Sequence, residues 1–231
     1  MSHWQFLSRF GETTLLLPCA VMLYAWLRHS RETAAARQWL CAFGLVAGLT
    51  VLSKLAYMGW GVGLPAVDFT GFSGHSVMAA AVLPVVLHRL APKRPAWTAL
   101  AAAAAGVVLA VAVSVSRLVL GVHSPSEVAG GLALGLGASV WCIALSHARA
   151  RRATPPVAVA LVLAFVVGLP ASGASAPTHR WLEQIAVYLS ARDKPFGRVY
   201  RDGAHAAALS ARVMVGDGGG KRATAAHARL P

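Results

Sequence analysis

The stretch Ser116-Arg117-Leu118-Val119-Leu120-Gly121-Val122-His123-Ser124-Pro125-Ser126-Glu127 sets an arginine, a histidine and a carboxylate close together in a mostly apolar chain. A second polar island, Asp68-Phe69-Thr70-Gly71-Phe72-Ser73-Gly74-His75-Ser76, adds another histidine behind a Ser-Gly pair, and Lys54 lies upstream. These residue types suit phosphoryl chemistry. A histidine attacks phosphorus when a carboxylate holds its other ring nitrogen, and a second histidine can protonate the leaving alcohol. His123 with Glu127 supplies the first pair and His75 the second. Arg117 can grip two phosphate oxygens with its planar fork, while Lys54 adds a point charge. Ser73-Gly74, at the start of a helix, would present free backbone N–H groups to an anion, and glycine lets an oxygen approach closely.

Each of these residues also has a purely structural role open to it. Ser124-Pro125-Ser126-Glu127 is a capping box, with Ser124 at the N-cap, Pro125 at the first helical position and Glu127 at the third. Arg117 and Lys54 could be anchors that snorkel to the membrane surface, and His75 an interfacial histidine satisfied by its neighbours. Two histidines and Glu127 could ligate a metal, but the cationic Arg117 and Lys54 at the same depth oppose one. Agreement of spacing, depth and sidedness favours the joint, chemical reading.

The elements that must position these groups are membrane spans. The chain has 231 residues, is 57% hydrophobic and 13% charged, and so belongs with integral membrane proteins. Its net charge of +13 would suggest nucleic acid in a soluble protein. Here the arginines sit in short patches between apolar runs, as in loops facing anionic lipid, and no nucleic-acid partner is expected. Cys19, Cys41 and Cys142 fall inside apolar runs with no paired spacing, so neither a disulfide nor zinc is expected.

Residues 2–12, with Trp4, Phe6 and Phe10 among polar neighbours, read as a short interfacial helix. Spans are expected at about Thr13–Leu27, Gln38–Tyr57, Ser73–His88, Trp97–Val115, Pro125–Leu145 and Pro156–Leu169. The first reads as a retained span, because Pro18 is a poor residue before a cleavage point. Gly130, Gly131, Gly135 and Gly137 offer small faces for close helix packing. From Ala171 the character changes: His179–Arg192 reads as an amphipathic helix and the remainder, rich in Gly, Ala and basic residues, as disordered. The expected architecture is thus all-α: a six-transmembrane-helix bundle over residues 1–173, then an extracytoplasmic tail over 174–231.

Charge then orients the bundle. The links after spans one, three and five carry Arg28, Arg31 and Arg37; Arg89, Lys93 and Arg94; and Arg149, Arg151 and Arg152. Those after spans two and four carry only Lys54, Asp68, Arg117 and Glu127. The positive-inside rule makes the first set cytoplasmic and puts both polar islands outside.

The islands resemble the type 2 phosphatidic acid phosphatase (PAP2) family of integral membrane lipid phosphatases. Ser116-Arg117, His123 and Glu127 match its Ser-Arg, His, Asp motif, with Glu for Asp; Phe72-Ser73-Gly74-His75 matches its Pro-Ser-Gly-His motif, with Phe for Pro. Of its Lys, six residues, Arg-Pro motif, Lys54 is present and Gly61-Val62 stands where Arg-Pro belongs. The resemblance covers roughly residues 38–147. It implies that His123 forms a phosphohistidine, that Glu127 orients it, and that His75 is the general acid. It further implies that Lys54, Ser73, Gly74 and Arg117 hold the phosphate of a lipid phosphate or diphosphate, with no cofactor or metal. Compact size and the lack of eukaryotic sorting signals point to a bacterial inner membrane, with the site on its outer face. The alternative, kept open by Gly61-Val62, is a protein of this fold that binds or moves phosphorylated lipid without hydrolysis.

Overall fold

A computed structural model describes residues 2–91, 95, 97–147 and 178–197. The sixth expected span and the end of the tail lie outside the described residues. Among those described, the elements are helices: α1 (His3–Arg9), α2 (Thr13–His29), α3 (Thr33–Trp60), α4 (Gly74–Leu90), α5 (Trp97–Val119), α6 (Pro125–His147) and α7 (Thr178–Ser190), with a single 3-10 turn at Pro65–Val67. Four stretches, His3–His29, Thr33–Trp60, Trp97–Val119 and Pro125–Leu145, are long and apolar enough to cross a membrane. The protein is a multi-pass membrane protein.

The hub is α4. At 17 residues it is shorter than those four stretches, and it is apolar on all sides, the pattern of a helix surrounded by protein. Its buried residues run almost unbroken from Ser76 to Arg89. Ala79, Ala80 and Ala81 keep it thin, and α2, α5 and α6 close around it. The approach is close because partners lack side chains. A Cβ on Gly135 of α6 would fall 2.5 Å from the Val77 carbonyl oxygen, and one on Gly106 of α5 would fall 2.7 Å from the Pro84 backbone. Gly130 and Gly131 also face this side, towards Phe72 and Ser73. Gly137 does not: among the described residues no atom of another element lies within 4 Å of the position its Cβ would take. The helical period turns position 137 away from α4.

Two spans extend furthest beyond their expected ends. α3 begins at Thr33 and ends at Trp60, where Gly61 forms a left-handed cap with φ 70°. α5 continues past Val115 to Val119, since no breaker intervenes before Gly121. Arg117 therefore sits in the last turn of a helix, not in the loop after it. At the opposite end of the bundle, the Arg89 guanidinium of α4 binds the Glu32 carboxylate at the start of α3, at 2.7 Å. Trp39 ties α3 to α2 by donating its indole N–H to the Ala20 carbonyl at 3.0 Å.

The helix expected within residues 2–12 is α1, opened by a reciprocal Ser2–Gln5 capping box. The amphipathic tail helix is α7, which buries Ala186 against Gly59 near the C-terminal end of α3 and leaves Trp181, Ile185, Tyr188 and Leu189 exposed. α6 begins at the same end of the bundle as the polar islands. Its far end, near Trp141, receives the Gln38 side chain from the start of α3.

Candidate active site

The Leu120–Ser124 turn carries His123 off the end of α5, and Pro125 starts α6 at once. The capping box forms reciprocally: the Glu127 amide donates to Ser124 Oγ and the Ser124 amide donates to Glu127 Oε2, both at 3.3 Å. The same carboxylate also meets His123, whose Nδ1 lies 2.7 Å from Oε2. Capping and orienting are thus done by one side chain at once. The longer reach of Glu over Asp is used at its other oxygen, where Oε1 accepts the Thr70 amide at 2.9 Å and the Thr70 hydroxyl. Glu127 is 0% exposed, so its charge is held entirely by donors.

With Oε2 accepting, the proton of a neutral His123 sits on Nδ1 and its Nε2 carries the lone pair. The His123 side chain is 13% exposed, in contact with solvent at an edge. Burial pushes its pKa below the ordinary histidine value; Lys54 and Arg117 act in the same direction, while the hydrogen bond and charge of Glu127 oppose them. The ring is therefore neutral at neutral pH, the form that can attack.

His75 occupies the second position of α4, one residue after Gly74. His75, Arg117, His123 and Lys54 lie within electrostatic reach of one another at this end of the bundle. Lys54 Nζ lies beside Gly74, 4.0 Å from where a Cβ would stand. Gly71, at φ 135°, is pressed against the Lys54 side chain and backbone. The loop between α3 and α4 is fastened further by the Phe72 amide donating to Ser53 Oγ at 3.2 Å and by Ser126 Oγ donating to the Val67 carbonyl at 2.7 Å.

One expectation is corrected. The Ser73 amide is not free for an anion: it donates to the Glu127 carbonyl at 3.1 Å, and Ser73 itself is fully buried, its hydroxyl accepting from Ser76. The start of α6 and the start of α4 lie so close that Ser73 is used to join them. The first-turn amides of Gly74, His75 and Ser76 remain directed out of the N-terminus of α4, as at any helix start.

Arg117 points its guanidinium to the same place. Its NH1 donates to Ser8 Oγ at 2.6 Å, and its Nε is buried without a hydrogen-bond partner among the described residues. Gly11 packs on His75, since a Cβ there would lie 3.0 Å from His75 Cβ. Sequence reasoning did not assign Thr70, Ser53, Ser8 or Gly11. Thr70 lay inside the second island and Ser53 beside Lys54, so proximity was a signal for both. For Ser8 and Gly11 no local pattern existed, as their partners are over sixty residues away.

The candidate site is thus a buried carboxylate–imidazole pair with a second imidazole, a guanidinium and an ammonium within electrostatic reach. An anion carrying several oxygens would suit that arrangement of charge.

The PAP2 superfamily matches residues 61–151, which hold His75, Arg117, His123 and Glu127. The chain is 40% identical over 204 residues to the "Uncharacterized 22.5 kDa protein in cps region" of Klebsiella pneumoniae, covering 85% of this chain and 96% of that protein. It is 34% identical over 137 residues to phosphatidylglycerophosphatase B of Bacillus subtilis (strain 168), covering 56% of this chain and 67% of that one. A crystal structure of a transmembrane PAP2-type phosphatidylglycerolphosphate phosphatase from Bacillus subtilis superposes with a TM-score of 0.49 at 27% identity, over 66% of this chain and 82% of that one. On its sequence matches and its all-helical membrane architecture, the chain belongs to the PAP2 superfamily.

Proposed function

We propose that this protein is a lipid phosphatase that acts at the outer leaflet of a bacterial inner membrane through a phosphohistidine at His123. The observation that carries the reading is the 2.7 Å contact between His123 Nδ1 and the buried Glu127 carboxylate, which leaves Nε2 as the attacking atom. In the first step the Nε2 lone pair forms a bond to phosphorus as the bond from phosphorus to the lipid oxygen breaks. His75, in the same field, gives that oxygen its proton. In the second step His75 takes a proton from a water as that water attacks phosphorus, and the N–P bond breaks, returning its electron pair to Nε2 and releasing phosphate. Arg117, Lys54 and the first-turn amides of α4 hold the oxygens on which charge accumulates.

The outer-leaflet assignment is supported by charge. Arg28, Arg31, Arg37 and Arg89 gather at the bundle end opposite the site. Trp60, Val62, Leu64 and Val67, at the end of α3 and in the loop that follows it, are exposed, which suits a surface level with lipid head groups. Phosphatidylglycerol phosphate is the first substrate to assay, given the similarity to phosphatidylglycerophosphatase B. Undecaprenyl diphosphate and phosphatidic acid complete the panel.

The test is phosphate release by purified protein in detergent from each lipid, with His123→Ala abolishing it. Equal release by the variant would remove the nucleophile assignment. A second reading is favoured by one observation: Gly61 is a left-handed helix cap and Val62 is exposed where the family places Arg-Pro. On that reading the protein binds or moves phosphorylated lipid, and saturable binding with no turnover across the panel would establish it.

A further inference from the structure

We propose that Ser8 is a positioning residue for Arg117, and that the corner joining α1 to α2 forms a wall of the phosphate site. This rests on the phosphatase reading of the site. Ser8 lies outside the stretch that matches the family, residues 61–151. In α1 it is the buried residue, at 5% exposed, while Trp4 and Phe6 face outward. Its hydroxyl accepts from Arg117 NH1 at 2.6 Å.

The choice of nitrogen is informative. In a guanidinium, Nε–H and one N–H of NH2 point the same way and form the fork that meets two phosphate oxygens; NH1 lies on the other side. Ser8 holds NH1, and Nε is buried with no partner among the described residues. The arginine is thus anchored by the nitrogen it does not need and leaves its fork for an oxyanion. Glu12 adds a favourable charge from the same corner, and Gly11 seats that corner against His75. Among the described residues Arg117 is the arginine whose charge reaches both histidines, so its orientation bears on every phosphate oxygen the fork would hold. A long side chain with four rotatable bonds loses freedom when it binds; anchoring it beforehand lowers that cost.

The experiment compares wild type, Ser8→Ala, Ser8→Thr, Arg117→Ala and the Ser8→Ala/Arg117→Ala double variant, as full chains in detergent with lipid phosphate. Loss of one hydrogen bond to a charged group predicts a fall of about tenfold or more in kcat/KM for Ser8→Ala. Ser8→Thr, which keeps the hydroxyl, recovers most of it. In the Arg117→Ala background the same change costs less than about twofold, because it acts through the arginine. Wild-type kcat/KM in Ser8→Ala, or an undiminished loss in the Arg117→Ala background, overturns the proposal. Should wild type hydrolyse no lipid, the enzyme reading fails by itself and inorganic phosphate binding decides on Ser8. A half-saturating concentration raised about tenfold in Ser8→Ala supports positioning. An unchanged concentration, or no phosphate binding by wild type, overturns it.

Discussion

Glu127→Gln keeps the outline of the side chain and removes its charge, and the geometry dictates the consequence. The two oxygens of Glu127 accept from His123 Nδ1, the Ser124 amide, the Thr70 amide and the Thr70 hydroxyl. Glutamine has one acceptor oxygen and an NH2 group. Whichever way it turns, one pair of these donors faces an N–H. If the NH2 faces Thr70, a backbone N–H is left without an acceptor in a buried place. If it faces His123, Nδ1 must present its lone pair, the ring proton moves to Nε2, and the attacking atom is blocked. Loss of one charge-assisted hydrogen bond, about 1.5 to 3 kcal/mol, lowers turnover about tenfold to 150-fold, and the blocked tautomer adds to that.

The pH profile gives a second, independent readout. The His123 ring must be neutral to attack, so activity is present above its folded pKa and lost as pH falls through it. Burial holds that pKa below the usual histidine value, which puts the acid limb below about pH 6.5. The bond and charge of Glu127 raise the His123 pKa, so removing the charge lowers it further. Glu127→Gln is therefore slower, with an acid limb displaced to lower pH. Phosphate release from lipid in detergent, followed across the acid range for both proteins, measures both effects. A variant with wild-type turnover, or an acid limb displaced upward, would refute the reasoning.

Three further changes probe other parts of the structure. Lys54→Met removes a charge that lowers the His123 pKa, so the acid limb moves to higher pH, and KM for a lipid phosphate rises about tenfold in steady-state assays. Gly135→Ala places a Cβ 2.5 Å from the Val77 carbonyl oxygen, a backbone atom that cannot turn aside; thermal unfolding shows a loss of about 1 to 3 kcal/mol. Glu32→Ala leaves Arg89, 5% exposed, without its carboxylate. It lowers the unfolding temperature, by up to about 3 kcal/mol in stability because Glu32 is partly solvated, yet retains kcat since the pair lies at the far end of the bundle.

Much of this was legible in the chain because its signals are local. The Ser124–Glu127 cap, the apolar runs and the tail helix each arise from residues near one another in sequence. The spacing from Ser116 to Glu127 also implied the His123–Glu127 pair, since a histidine before a helix faces the third residue within it. Contacts over long separations were hidden. The amide of Ser73 joins Glu127, the hydroxyl of Ser8 holds Arg117, and Thr70 completes the carboxylate's partners. Such pairings depend on how α1, α4 and α6 meet, and no periodicity reports that. Gly137 shows the same limit: small residues on a helix suggest a packing face, but only the neighbour's position tells which of them lie on it.

The most direct measurement is to trap the phosphorylated protein during turnover of a phosphorus-labelled lipid phosphate and map the label. Label is expected on His123, stable to base and released by acid, and none on His123→Ala. Label on another residue, or sustained turnover by His123→Ala, would contradict this expectation.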